Sequence, residues 1–152
     1  MTSNPSAHYL RTQVQTASKG QLLLMLFDGA VRFSEQARVC MEQEEYETSH
    51  ELLLKTQRIM LELMSALDRD SLAILPGEIF QNLTGLYLYV YRELVQANSR
   101  RDLDALKNAA KILVHLRETW QLAYEKMDPE DRKILSPSTG SEAVGRGINL
   151  QG

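Results

Sequence analysis

The 152-residue chain holds one cysteine, Cys40, and no cationic cluster larger than the pair Arg100-Arg101, which Asp102 follows. A single thiol excludes an internal disulfide framework and suits a reducing cytoplasm. The lack of a basic cluster, with a net charge of −3, leaves no general attraction for nucleic acid or an anionic membrane. Apolar runs such as Leu22 to Phe27 fall far short of the ~20 residues a bilayer span requires. The N-terminal stretch MTSNPSAHYLRTQ has neither a cationic start nor an apolar core, so it is not expected to be a signal peptide. Gly-x-Ser-x-Gly, P-loop and Gly-x-Gly-x-x-Gly patterns are also missing, which removes the usual means of positioning an acyl or phosphate group. No strand pattern and no internal repeat competes with helix. What remains is one soluble intracellular domain, long enough to bury a core.

Four helical stretches supply that core. Ser18-Lys19-Gly20-Gln21 has the form of a capping box, and helix 1 is expected from about Lys19 to Gln43. Its stripe is Leu22, Leu26, Gly29, Ala30, Phe33, Ala37 and Cys40, widened by Leu23, Phe27 and Val31. Helix 2 is expected over Tyr46 to Leu67, with Leu53, Ile59, Met60, Leu63, Met64 and Leu67 inward and Leu52, Leu54 and Leu61 broadening the apolar arc. Asp68 to Gly77 breaks the pattern, and Pro76 suits a helix start. Helix 3 covers Ile79 to Asn98. Ile79, Leu83, Leu86, Val90, Leu94 and Ala97 form a core stripe at about 100° per residue. A turn over Asn98 to Asp102 follows, with Asp102 as N-cap of helix 4, Leu103 to Lys126. There Ala105, Leu106, Ala109, Ile112, Leu113, Leu116, Trp120 and Ala123 share one side. From Met127 the composition turns to Asp, Pro, Ser and Gly, the mark of a flexible tail over 127–152. Residues 1–126 are read as an all-α, antiparallel up-down four-helix bundle, with residues 1–15 an N-terminal arm packing on it.

Helix 3 carries more apolar surface than such a bundle needs. Phe80, Tyr87, Leu88, Tyr91 and Val95 extend its stripe to an arc of roughly 200°, where an outer bundle helix usually needs about 100° or a little more. Helix 2 shares the excess and helix 4 has less. Either neighbouring elements bury it, or it awaits a partner. The tyrosines favour an interface, because a phenol hydroxyl prefers water or a hydrogen-bonding partner.

Chemical constellations are weak beside this surface. Glu47-x-x-His50 has the spacing used in di-metal bundles, but these need a second such motif and two more glutamates; an acid at a helix start also serves the macrodipole. His8 and His115 lie on other segments. Cys40, on the core stripe, has no His or Lys at helical spacing to activate it. No metal, cofactor or catalytic function is expected.

Thr16-Ala17-Ser18 followed by Leu22 through Phe27 and Asp28-Gly29-Ala30 resembles the first helix of the FliS family of flagellar export chaperones. Leu83, Leu86-Tyr87, Tyr91, Leu94 and Ala97-Asn98 are similar to that family's third helix, and Asp102 with Leu116 to Trp120 to its fourth. Tyr9 matches an N-terminal tyrosine of the family, so that the resemblance covers about residues 8 to 124. Departures are Lys19 in place of a common proline, Phe80 in place of a smaller residue, and Leu72 to Gly77 in place of a Gly-Gly connection. The resemblance implies a non-enzymatic cytoplasmic chaperone. Its client would be the disordered C-terminal segment of flagellin, kept from premature polymerisation and delivered to components of the flagellar type III export apparatus. On that basis Phe80, Tyr87, Leu88, Tyr91 and Val95 of helix 3, with Leu54 and Leu61 of helix 2, supply the client groove. Leu88 and Val95 are expected outward, and Leu83, Leu86, Val90 and Leu94 inward. Tyr9 and Leu10 cap apolar surface in the free chain. A monomer or weak homodimer is expected, and the rival reading is a homo-oligomer whose extra apolar faces meet one another.

Overall fold

The computed structural model describes residues 19–70 and 77–126. They form α1 (Lys19–Glu42), α2 (Tyr46–Asp70), α3 (Gly77–Arg100) and α4 (Leu103–Lys126). Each is 24 or 25 residues long, or about 36 Å at 1.5 Å per residue, so all four run the length of the bundle. The extensive packing is between α1 and α2, α2 and α3, α3 and α4, and α4 and α1. This closed ring of neighbours is the up-down antiparallel bundle the hydrophobic period predicts. The N-terminal arm with Tyr9 and Leu10, the Ser18 cap, the Leu72–Pro76 connection and the tail from Met127 lie outside the described residues, as does the Phe80 side chain.

Each helix turns its apolar stripe to a common centre. Phe27, Phe33, Leu53, Met60, Leu63, Val90, Leu94, Leu106 and Leu113 are all but fully buried there. Each such side chain contributes about 1.5–3 kcal/mol through removal from water. Ala30, Ala37, Ala97 and Ala109 are fully buried between them, and their small side chains let the axes approach. Hydroxyls in the core are satisfied locally: Thr56 Oγ1 donates to the Leu52 carbonyl at 2.9 Å and Ser34 Oγ to that of Val31 at 3.0 Å. Gly20 serves the opposite end of the bundle from the two short turns. Its carbonyl accepts from Trp120 Nε1 at 3.3 Å, and a Cβ there would come within 2.6 Å of Tyr124 Cδ2.

Both turns at one end of the bundle close through a left-handed residue. After α1, Glu45 N–H donates to the Cys40 carbonyl at 2.8 Å and Glu44 N–H to that of Met41 at 3.1 Å. This Schellman pattern places Glu44 at φ 60°. After α3, Asp102 N–H donates to the Ala97 carbonyl at 3.2 Å and Arg101 takes φ 52°. The α3 backbone therefore stays helical through Arg100, and the turn expected from Asn98 begins at Arg101. The Arg101 guanidinium lies 4.0 Å from the centre of the Tyr46 ring, which joins the two turns. Asp102 caps α4, accepting from Ala105 N–H at 3.1 Å. The Gln96 side-chain hydrogen bond and then this backbone bond hold its carboxyl below the usual range. Helix α2 extends three residues beyond the expected end at Leu67, to Asp70.

Candidate functional site

The register of α3 against α2 is set by a polar contact at the two-turn end. Asn98 Oδ1 lies 2.6 Å from His50 Nδ1, and Asn98 Nδ2 donates to Gln57 Oε1 at 3.2 Å. Asn98 is thus level with the stretch between His50 and Gln57. Because the helices are antiparallel, each step back along α3 matches a step forward along α2, so Tyr91 comes level with Leu61. The network gives His50, at the end of Glu47-x-x-His50, a structural partner. Among the described residues no group of three His, Cys, Asp or Glu side chains could hold a metal ion.

The outer flanks on either side of this seam are apolar. Leu54 is half-buried and Leu61 is 50% exposed on α2. Tyr91 is half-buried, and Leu88 and Val95 are each 37% exposed on α3. At 100° per residue, Leu88, Tyr91 and Val95 fall within about 60° of one another, on the side of α3 that carries Asn98 toward α2. Tyr91, Val95 and Ser99, one turn apart, and Arg92, Gln96 and Arg100 beside them line a depression of about 290 Å³. The result is a row of partly exposed apolar side chains on α2 and α3 beside an open, polar-edged depression on α3.

Helix α3 is rotated from expectation at one point. Tyr87, expected on the outer surface, is only 7% exposed and packs edge-to-face on Phe27 of α1, centroids 6.1 Å apart. Leu86, expected in the core, is 36% exposed. The two residues sit at opposite edges of the inward stripe, each about 50° from its centre. The tyrosine ring is long enough to cross the bundle to Phe27, so Tyr87 takes the core place. Its burial pushes the phenol pKa up to about 12. Leu86 and the exposed Tyr89 are left on the flank toward α4, where Glu93 accepts from Asn108 at 3.4 Å. The helical period of α3 carries no signal that separates the two edges.

Between α1 and α4 the contacts include ion pairs, while Val39 of α1 and Leu122 of α4 also stand exposed. Arg117 donates to Asp28, tying α4 to α1, and Arg38 bridges Glu35 and Glu42 at 3.1 and 2.9 Å. Trp120 and Phe27 belong to the core, as expected, Trp120 packing on it while partly exposed. Cys40, expected to be buried, is half-buried; desolvation and then the Glu45 carboxylate raise its thiol pKa, which opposes thiolate formation. Among the described residues no helix is long and apolar enough to cross a membrane.

The model of the family described as "Flagellar protein FliS" matches residues 2–127 of the chain. The chain is 33% identical over 122 residues to the flagellar secretion chaperone FliS of Bacillus subtilis, which covers 80% of this chain and 87% of that protein. It is 36% identical over 113 residues to the flagellar secretion chaperone FliS of Salmonella typhimurium, covering 74% and 81%. With the flagellar secretion chaperone FliS of Escherichia coli the identity is 31% over 136 residues, covering 89% and 90%.

Proposed function

The chain belongs to the family of the flagellar protein FliS, and from that premise we propose that it is a flagellar secretion chaperone whose α2–α3 groove holds flagellin. The client segment is the disordered C-terminal region of flagellin, held in the cytoplasm and handed to components of the export apparatus. The action is non-catalytic: binding and release are the whole of it. One observation carries the location. Leu61, Leu88 and Val95, with the half-buried Leu54 and Tyr91, form an apolar seam on two adjacent helices, whereas the described α1–α4 surface is tied by the Asp28–Arg117 and Glu42–Lys107 pairs.

The mechanism is a helix laid in a groove. A client segment that forms an amphipathic helix turns its apolar stripe into the seam, which removes the same stripe from pairing with other flagellin subunits. Covering the exposed third to half of each of Leu61, Leu88 and Val95 contributes about 0.5–1.5 kcal/mol per side chain. Ordering the client costs a few kcal/mol in return. The balance is an affinity that survives in the cytoplasm yet permits release. In this reading the protein works as a monomer or weak dimer.

Calorimetric titration with a flagellin C-terminal peptide tests the assignment. Leu88→Ala and Tyr91→Ala each weaken binding, by about fivefold for a loss near 1 kcal/mol, with the fold intact by circular dichroism. Unchanged affinity in both variants removes the α2–α3 groove as the client site.

A further inference from the structure

The two flanks of the groove repeat one pattern. On α2, Leu54, Arg58 and Leu61 stand at i, i+4 and i+7; on α3, Leu88, Arg92 and Val95 stand at the same spacing. Residues so spaced share a helix face, so each flank carries an arginine between two apolar side chains. The register set by Asn98 with His50 and Gln57 places Arg58 level with residues 93–94, within about one helical turn of Arg92 across the seam. Two like charges therefore stand at the same height on opposite sides of an apolar groove, and both side chains are exposed.

Neither arginine is held by an acid of its own chain among the described residues. On the α1–α4 side Arg38, Lys107 and Arg117 are engaged by Glu35, Glu42 and Asp28. Among the described residues no ion pair joins Arg58 or Arg92 to an acid. Glu62 stands one turn from Arg58, and Glu93 follows Arg92 but gives its carboxylate to Asn108. Arg92 and Arg100 also line the depression at the end of the seam. Arg100 has Asp102 near enough to help hold that carboxyl down but makes no ion pair with it. Although the chain's net charge is −3, the cations along this groove have no acid bridged to them among the described residues.

We propose that Arg58 and Arg92, seconded by Arg100 at the groove's end, grip carboxylates of the segment seated between α2 and α3. The occupant is then an amphipathic helix whose apolar stripe is flanked by acidic side chains. This rests on the client-groove reading above and adds to it a rule of recognition: apolar contacts give the seam its affinity, and the arginines set which segments enter and in which register. Guanidinium groups suit the task because their fork geometry takes a carboxylate through two parallel hydrogen bonds.

The test uses the full chain and the C-terminal segment of the flagellin from the same cells, titrated by calorimetry. Arg58→Glu/Arg92→Glu is compared with wild type and with Leu88→Ala, at about 0.05 M and about 0.3 M NaCl, between which the screening length falls from about 14 Å to about 6 Å. The expected result is a loss of about tenfold in affinity for the double reversal at low salt, with salt weakening binding in wild type and strengthening it in that variant, where it screens a repulsion. Substituting Lys for the acidic residues of the peptide restores binding to the double reversal. If Leu88→Ala weakens binding while the double reversal and salt leave it unchanged, the groove reading stands and the arginine grip is overturned. If none of the three changes it, both fall. Sedimentation of the chain alone showing a salt-sensitive dimer lost in the double reversal assigns the arginines to a second copy instead, and also overturns the proposal.

Discussion

Truncating Tyr87 and truncating Leu88, neighbours in sequence, should damage different properties. Tyr87 is 7% exposed and reaches across the bundle to Phe27, so Tyr87→Ala opens a cavity in the centre. Removing a buried aromatic side chain costs about 3–5 kcal/mol, of which the edge-to-face contact accounts for about 0.5–1.5 kcal/mol. A domain of this size holds about 5–15 kcal/mol of stability in all. The midpoint of thermal unfolding should drop by about 10 °C or more, with the variant still folded near room temperature. Leu88 is 37% exposed and leaves a surface notch in place of a cavity, so Leu88→Ala costs the fold about 1 kcal/mol or less. Thermal melts followed by circular dichroism, paired with client titration at a temperature where both variants are folded, separate the two effects. A Tyr87→Ala protein that melts with wild type but loses client affinity would refute the placement of Tyr87 in the core, and with it the assigned rotation of α3.

Three further perturbations probe the ends of the helices. Glu44→Gly should raise stability by about 1 kcal/mol, because Glu44 stands at φ 60°, where a side chain costs about 1–2 kcal/mol and glycine pays no such strain; denaturant melts showing a loss contradict this. Asp102→Ala should lower the melting temperature at neutral pH. The Asp102 carboxyl is depressed, so its contribution is present above the unfolded value of about 3.9 and disappears as pH falls through the folded pKa; melts in acid should bring wild type and variant together. Gly20→Ala sets a helix-propensity gain of at most about 1 kcal/mol against overpacking on Tyr124 of about 1–3 kcal/mol. Net destabilisation is expected, relieved when Tyr124→Ala is added, and a stabilised single variant refutes the close approach.

The four helices were legible because a 3.6-residue apolar period runs unbroken through each of them. The core lists followed from the same period: Phe33, Leu53, Val90, Leu94 and Leu106 fall inward as their spacing demands. Helix ends were less legible where the stop signal is conformational. Glu44 and Arg101 take left-handed backbones with no glycine to announce them, so α3 ran two residues past the expected turn. The choice between Leu86 and Tyr87 was not legible, since both flank the stripe equally and the decision depends on Phe27, sixty residues away in sequence. The contact of Asn98 with His50 and Gln57 is equally non-local. The excess apolar width of α2 and α3 was readable. Which part of it faces outward required the rotation of each helix in the bundle: Tyr87 was withdrawn to the core, while Leu61, Leu88 and Val95 remained open.

The most direct test of where client sits is methyl NMR of the chain labelled at leucine and valine, recorded with and without the flagellin C-terminal segment. The expected result is that the largest shifts and the client contacts fall on Leu54, Leu61, Leu88 and Val95, with Leu53, Leu63 and Leu106 of the core little changed. Perturbations centred instead on Val39 of α1 or Leu122 of α4, with the α2–α3 methyls unmoved, would contradict the placement of the client groove.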